Sequence, residues 1–362
     1  MSKAAELAAL IGSQTALSNR NLIINGAMQV SQRSTSDTGV HTTGFFSCDR
    51  FQMVYSNEDE LRQTITQASD GPDGFANSLK IQTTTAESAV ASDERSYVIY
   101  RAEGQDLQQL AYGTSAAKKI TLSFYVKSSV TGTYAVSAYK ADGNDVVGST
   151  YTINSANTWE RKSITFPVDT STAIADDNTS GMAFYWAVMI GSDYTSVDNS
   201  AWSEYANNKF FYGHAQNGVA TTTNATWQLT GVQLEIGETA TPFEHRSFAE
   251  ELRRCQRYYQ KSYNHSVAPG TNTQIGATYN VTQATSSYPS AGFTHFKVEM
   301  RAAPTITSYD YAGTSGKMSA GGSPVTSHIQ DPSERGFGNY VSNSSVGVNS
   351  GVAIHYVANA EL

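Results

Sequence analysis

The residues with the most chemistry to offer lie between positions 191 and 226, where Tyr194, Trp202, Tyr205, Phe210, Phe211 and Tyr212 are set among Asp, Asn, Ser and Gly. Flat aromatic rings stack on the apolar faces of sugar rings, while neighbouring amides and hydroxyls pair with sugar hydroxyls. A connection of about 35 residues between two strands is long for a compact domain, and such loops are often functional. The same rings would also serve to fill the end of a β-sandwich or a subunit contact, so both uses stay open. A second set, Tyr288, Tyr309, Tyr311 and Tyr340, sits in turns rich in Ser, Gly and Asn. That mixture suits an adaptable recognition surface and equally suits ordinary exposed β-loops. Tyr194, Trp202, Tyr205, Tyr212, Tyr288, Tyr309, Tyr311 and Tyr340 are the candidate ligand-binding residues.

Catalytic motifs are missing from the sequence. Gly336-Phe337-Gly338 has no third glycine and no strand-to-helix setting, and Gly313-Thr314-Ser315-Gly316-Lys317 lacks the spacing of a phosphate-binding loop. No nucleophile elbow or HExxH pair occurs, and no Cys or His spacing reads as a zinc site. Paired carboxylates act by separation in space, so Glu58-Asp59-Glu60, Asp142 with Asp145, and Asp176-Asp177 keep a glycoside hydrolase in view. Flanking Gly, Asn and Ser make turns the better reading of the last two. Asp142-Gly143-Asn144-Asp145 lacks the final Glu of an EF-hand loop. The expectation is a non-enzyme with no catalytic residue, metal or cofactor.

These residues need a scaffold, and the composition says which kind. Of 362 residues, 43 are Ser and 39 Thr, and only 15% are charged against the roughly 25% usual in soluble proteins. Hydroxyls keep such a surface wet, and short strands with polar turns fit the mixture. A net charge of −8 argues against a broad grip on nucleic acid or anionic lipid. The longest apolar stretch, residues 181 to 191, is about half the roughly 20 residues that a membrane helix needs. Glu6 interrupts what would be a secretory apolar region, which points to synthesis in a cytoplasm.

Residues 3 to 17 carry Ala4, Leu7, Ala8 and Ile11 at helical spacing, too short a helix to stand alone. It reads either as an arm on its own chain or as an attachment peg for other proteins. From Asn21 the period becomes two, with Leu22, Ile24, Met28 and Val30 apolar and Gly26 at a bulge. Ile120, Leu122, Phe124 and Val126, then Tyr134, Val136 and Ala138 beyond Thr131-Gly132, read as a hairpin. Further alternation brings residues 20 to 246 to about eight or nine strands without intervening helices, an all-β jelly-roll sandwich. Ser247-Phe248-Ala249-Glu250 has the form of a capping box. Phe248, Leu252, Cys255 and Tyr259 then mark one face of a linking helix over 247–263, with Arg253, Arg254, Arg257 and Lys261 elsewhere around it. Residues 264–362 return to a β pattern as a smaller C-terminal domain. The predicted organisation is therefore a helix over 1–19, a jelly roll over 20–246, the linking helix, and the C-terminal β domain.

Taken together, Asn21-Leu-Ile-Ile-Asn-Gly-Ala-Met-Gln-Val-Ser-Gln32, Cys48-Asp49-Arg50-Phe51, Glu103-Gly104 and Leu122-Ser-Phe-Tyr-Val-Lys127 form a distinctive set. Gly231-Val-Gln-Leu-Glu-Ile-Gly237, Thr241-Pro-Phe-Glu-His-Arg246, Glu251-Leu-Arg-Arg-Cys-Gln-Arg-Tyr-Tyr259, Met300-Arg301-Ala-Ala-Pro304 and Ala358-Asn-Ala-Glu-Leu362 complete it. The set resembles tail-fibre and receptor-binding proteins of tailed bacteriophages, whose main domain is similar to carbohydrate-binding jelly rolls. Phe51 stands where that pattern more often has Trp. The resemblance implies a virion structural protein adsorbing to host surface polysaccharide. The expected partners are sister chains in a homotrimer and other virion proteins through the N-terminal helix, while the charge and the short apolar stretch predict no nucleic acid and no membrane insertion. The resemblance carries over no catalytic residue. A tail depolymerase, or a capsid fibre or adaptor binding only virion proteins, are the alternatives. If the N-terminal helix is the attachment end, the C-terminal domain is distal and meets the cell first.

Overall fold

A computed structural model describes residues 19–283, 289–341, 346–347 and 349–362. The expected helix over 3–17 and Tyr288 lie outside the described residues. The chain divides into two compact units, one running to Gln29 and then over Thr35–Ser247, the other comprising Val30–Ser34 and Phe248–Leu362.

The first unit contains β1 (Ser36–Val40), β2 (Gly44–Phe45), β3 (Phe51–Ser56), β4 (Arg62–Ala68), β5 (Ser78–Thr85), β6 (Arg95–Glu103), β7 (Ile120–Ser128), β8 (Gly132–Lys140), β9 (Asp145–Ile153), β10 (Glu160–Phe166), β11 (Ser180–Ile190), β12 (Ser203–Glu204) and β13 (Thr226–Ile236). One sheet has the order β1-β4-β5-β13-β7-β10 and the other β12-β9-β8-β11-β6-β3-β2. All of their pairings are antiparallel. This is the jelly-roll β-sandwich that the alternation predicts.

Its inner faces meet in one core, where Leu122, Phe124 and Val126 of β7 and Leu229 of β13 join Tyr134 and Val136 of β8 and Phe184 and Trp186 of β11. Phe124 stands edge-on to Trp186 at 6.0 Å, and Tyr134 stacks on Tyr151 at 5.7 Å. Each fully buried Phe, Leu or Val here contributes about 1.5–3 kcal/mol. β11 is buried on both faces. Met182, Phe184, Trp186 and Val188 enter the central core, while Ala183, Tyr185 and Ala187 join a second cluster on the outer side. A strand covered on both sides loses polar alternation, which is why residues 181 to 191 read as one apolar run.

Three local expectations are corrected. Strands β7 and β8 are not a hairpin, because β7 pairs with β10 and β13 whereas β8 pairs with β9 and β11. Residues 129–131 carry the chain from one sheet to the other, and both strands point their apolar side at the same core. Residues 21–31 form no strand either. Asn25 and Met28 take φ of 61° and 54°, which breaks the extended run, and Gly26 serves a close approach: a Cβ there would lie 2.1 Å from the Val232 carbonyl oxygen. Leu22 N–H instead donates to Leu234 O at 3.0 Å, and Val232 N–H to Gly26 O at 2.9 Å, so the segment is strapped along β13.

The linking helix is shorter than expected. α1 spans Phe248–Gln256, and Tyr259–Lys261 is already a strand. Glu250 and Arg254 form an (i, i+4) pair at 2.7 Å. Cys255 and Tyr259 are buried and Phe248 stays exposed. Lys261 is buried rather than part of a basic face, and its ammonium donates to the carbonyls of Gln32, His265 and Val267.

The second unit has β14 (Tyr259–Lys261), β15 (Thr278–Val281), β16 (Ser290–His295), β17 (Thr305–Tyr309), β18 (Lys317–Ala320), β19 (Ser323–Ser333), β20 (Gly336–Val341) and β21 (Gly351–Asn359). Its path is β14-β21-β18-β19-β20-β16, with β15 and β17 also paired to β21. β21 buries Val352, Ile354, Tyr356 and Ala358 with Met300, Met318 and Phe337.

Candidate functional site

Side chains of β6, β8 and β11 alternate, so those opposite the central core face outward. These include Tyr97 on β6, Tyr139 on β8 and Tyr185 on β11. The long connection after β11 folds back over them. It is pinned by Phe211 N–H to Tyr194 O at 2.8 Å, Tyr205 N–H to Asn144 O at 2.8 Å, and the Ser137 hydroxyl to Phe210 O. Phe210 and Phe211 are buried beneath it, with Phe210 edge-on to Tyr185 at 4.6 Å.

A cavity of about 210 Å³ opens between the loop and the sheet. Its floor is Tyr97, Tyr139 and Tyr185, Tyr205 and Phe210 supply loop walls, and Arg95 and Asn144 add polar groups. Tyr139 stands 6.0 Å from Tyr205 at an interplanar angle of 79°, and Tyr205 5.3 Å from Phe210 at 72°. The perpendicular rings brace one another and fix the cavity before any ligand arrives. Their hydroxyls are oriented as well: Tyr139 donates to Asn144 Oδ1 at 2.9 Å and Tyr205 to Asn207 Oδ1 at 2.6 Å. The Arg95 guanidinium lies over the Tyr194 ring at 4.5 Å, and its buried Nε has no hydrogen-bond partner. Burial pushes the hydroxyls of Tyr97, Tyr139 and Tyr185 up from the ordinary tyrosine value, so they remain neutral donors and acceptors near pH 7. The volume falls below the roughly 300–1,000 Å³ of drug-sized pockets, which suits one small ring rather than an extended chain.

The structure disperses the aromatic residues that the sequence singles out. Tyr205 lines the cavity. Tyr194 is buried beneath the loop as part of the outer cluster. Trp202 packs inward, its indole N–H donating to Pro167 O at 2.8 Å and its ring edge-on to Tyr112 at 6.0 Å. Tyr212 is exposed at 39% and does not line the cavity. In the second unit Tyr309 packs edge-on to Tyr263 at 6.1 Å, while Tyr311 lies 6.4 Å from the exposed Tyr279. Burial and the Tyr279 hydroxyl push Tyr311 up to about 12. Tyr340 lies half-buried on β20 opposite Ser290 and His328. No described cavity gathers these three tyrosines. Tyr97, Tyr139 and Tyr185 escaped sequence reading because they lie on strands. Their signal was parity: Tyr185 sits between Phe184 and Trp186, and Tyr97 beside Val98.

Several of the distinctive motif residues turn out to hold the fold. Asn21 Oδ1 accepts from Ile23 N–H at 2.9 Å and Leu234 N–H at 3.1 Å, while Glu244 accepts from Asn21 N–H at 2.8 Å. Arg246 donates to the carbonyls of Asn21 and Ile23. Arg50, buried, donates to Arg101 O at 2.7 Å. Two of the clustered carboxylates likewise serve the backbone: Asp142 ties two distant segments by accepting from Ala175 N–H at 2.9 Å, and Asp177 closes a turn by accepting from Thr179 N–H at 2.9 Å. Among the described residues no group of three or more His, Cys, Asp or Glu side chains is placed to hold a metal ion. None of the described helices is long and apolar enough to cross a membrane.

No protein-family model matches the sequence, and no curated protein matches it. Among solved structures, the chain is similar to the enzymatically active domain of tailspike protein 4 from bacteriophage CBA120 (11% identity, TM-score 0.32, 60% of this chain). It spans about a fifth of that tailspike chain, 21%. It is similar also to the family 11 carbohydrate-binding module from Clostridium thermocellum in complex with a mixed-linked tetrasaccharide (12% identity, TM-score 0.28, 57% of this chain and 99% of the module). The xylan-binding domain CBM22-1 from Paenibacillus barcinonensis aligns at 11% identity and TM-score 0.24, over 57% of this chain and 99% of the domain.

Proposed function

We propose that the chain is a bacteriophage tail-fibre adhesin, a virion protein that holds host surface polysaccharide without cleaving it. The observation that carries this reading is the cavity of about 210 Å³ whose aromatic floor and loop walls are accompanied by the polar groups of Arg95 and Asn144. Stacked rings desolvate the apolar face of one sugar, and Asn144, Arg95 and the tyrosine hydroxyls meet its hydroxyls. The loop supplies selectivity and the strands supply rigidity. The resemblance of the motif set to tail-fibre proteins supports the viral setting.

In this reading the protein is a homotrimer, attached to other virion proteins through the segment over 3–17. Three weak sites then hold by avidity, because the second contact is made at high effective concentration. The test is direct. Purified chain should bind host cells, compete with phage for adsorption, and leave envelope polysaccharide at its original size. Failure to bind cells would refute adhesion. Shortening of the polysaccharide, abolished by one Asp or Glu substitution, would establish a depolymerase instead.

A further inference from the structure

A second cluster, apart from the aromatic cavity, joins the two sheets of the sandwich. Lys140 ends β8 in one sheet, and Asp169 lies just beyond β10 of the other. Lys140 Nζ and Asp169 Oδ2 are in direct contact, with side chains 0% and 3% exposed. Asp145 at the start of β9 places Oδ2 3.2 Å from the same Nζ, and that buried oxygen has no other hydrogen-bond partner. Asp169 Oδ1 accepts from Ser171 N–H at 2.8 Å and from the Ser171 hydroxyl at 2.5 Å. The Trp202 ring, 6.0 Å from Nζ, and the buried Tyr112 beside it wall the cluster off.

An ion pair with so little water is expensive to keep, whereas a neutral amide in the same place carries no charge to desolvate. We propose that Lys140 and Asp169 condense into an intramolecular amide, with Asp145 moving the proton and Ser171 positioning the carboxyl. Burial raises the Asp169 carboxyl, but the Lys140 and Ser171 hydrogen bonds outweigh it and hold the carboxyl below its usual range. The ammonium first gives one proton to Asp169 Oδ2, leaving an amine and a carboxylic acid. Nζ then attacks Cγ, and the charge developing on Oδ1 falls on the two Ser171 donors. Asp145 takes a second proton from nitrogen and returns it to the departing hydroxyl, which leaves as water. One C–N bond forms, one C–O bond breaks and one water is released, with no oxidant or co-reactant. The product ties β8 to the segment after β10, 29 residues on, across the sandwich, in a chain whose two cysteines, Cys48 and Cys255, are buried and form no disulfide with each other.

Intact-mass spectrometry of the purified full chain tests this. The expected mass is that of the sequence less one water, and tryptic digestion should yield a branched peptide joining Lys140 to Asp169. Lys140→Arg and Asp169→Ala should return the full sequence mass. Asp145→Asn, checked for native circular dichroism, should also stay at the full mass while keeping the fold. A folded wild-type chain at the full sequence mass, cut by trypsin after Lys140 once denatured, overturns the proposal. So does a water loss mapped to any other pair, and complete cross-linking in Asp145→Asn would remove Asp145 from the reaction.

Discussion

His214 makes the first unit sensitive to acid. Its Nδ1 lies 3.2 Å from the Ala135 backbone N–H, which can only donate, so this ring nitrogen carries no proton. Nε2 therefore holds the hydrogen and donates it to Asn217 Oδ1 at 3.1 Å. Asn217 in turn clamps the end of β11, accepting from Ile190 N–H at 2.8 Å and donating to Ile190 O at 3.0 Å. A second ring proton would face Ala135 N–H, donor against donor, in a buried site beside Tyr134. Burial accordingly pushes His214 down from 6.5 to about 4. A shift of that size is worth about 3 kcal/mol. The native state binds fewer protons than the unfolded chain between these values. The stabilisation is therefore complete above about pH 6.5 and is lost as pH falls towards about 4.

All four tryptophans, Trp159, Trp186, Trp202 and Trp227, belong to this unit, so urea unfolding followed by tryptophan fluorescence reports on it alone. Between pH 7.5 and 4.5 the stability advantage of wild type over His214→Asn should shrink by about 2 to 3 kcal/mol, with contributions from other titrating groups cancelling in the difference. Two parallel stability–pH profiles would refute the reasoning. His214 lies within the connection that walls the aromatic cavity, so glycan binding should weaken over the same pH range.

Tyr139→Ala and Tyr205→Ala should each weaken glycan binding roughly tenfold by calorimetry, about 1.4 kcal/mol, while Tyr212→Ala, outside the cavity, leaves it unchanged. Gly26→Ala should cost about 1–3 kcal/mol and lower the melting temperature by several degrees, because the new Cβ meets a backbone carbonyl that cannot move aside. Light scattering should give three times 39.0 kDa, and a stable monomer at micromolar concentration would contradict a trimeric fibre.

Composition and period-two alternation were enough to determine an all-β chain, because a strand announces its buried face locally. Ile120, Leu122, Phe124 and Val126 could be assigned to a core without knowing what they face. Which sheet each strand joins was not local: β7 and β8 show the pattern of a hairpin yet lie in opposite sheets, since the same alternation serves either arrangement. The strap over 21–31 was misread for a related reason. Its apolar residues are buried, but left-handed Asn25 and Met28 deny it a ladder. Of the candidate site, the sequence alone supplied the unusual loop with Tyr205 and Phe210. Tertiary structure alone decided that Tyr194 and Trp202 turn inward and that Tyr97, Tyr139 and Tyr185 form the floor. A cavity is made by residues of distant sequence position, from β6, β8, β11 and the loop, and no local spacing records their meeting. The same holds for Asp169, which meets Lys140 and its hairpin partner Asp145 only when the two sheets close.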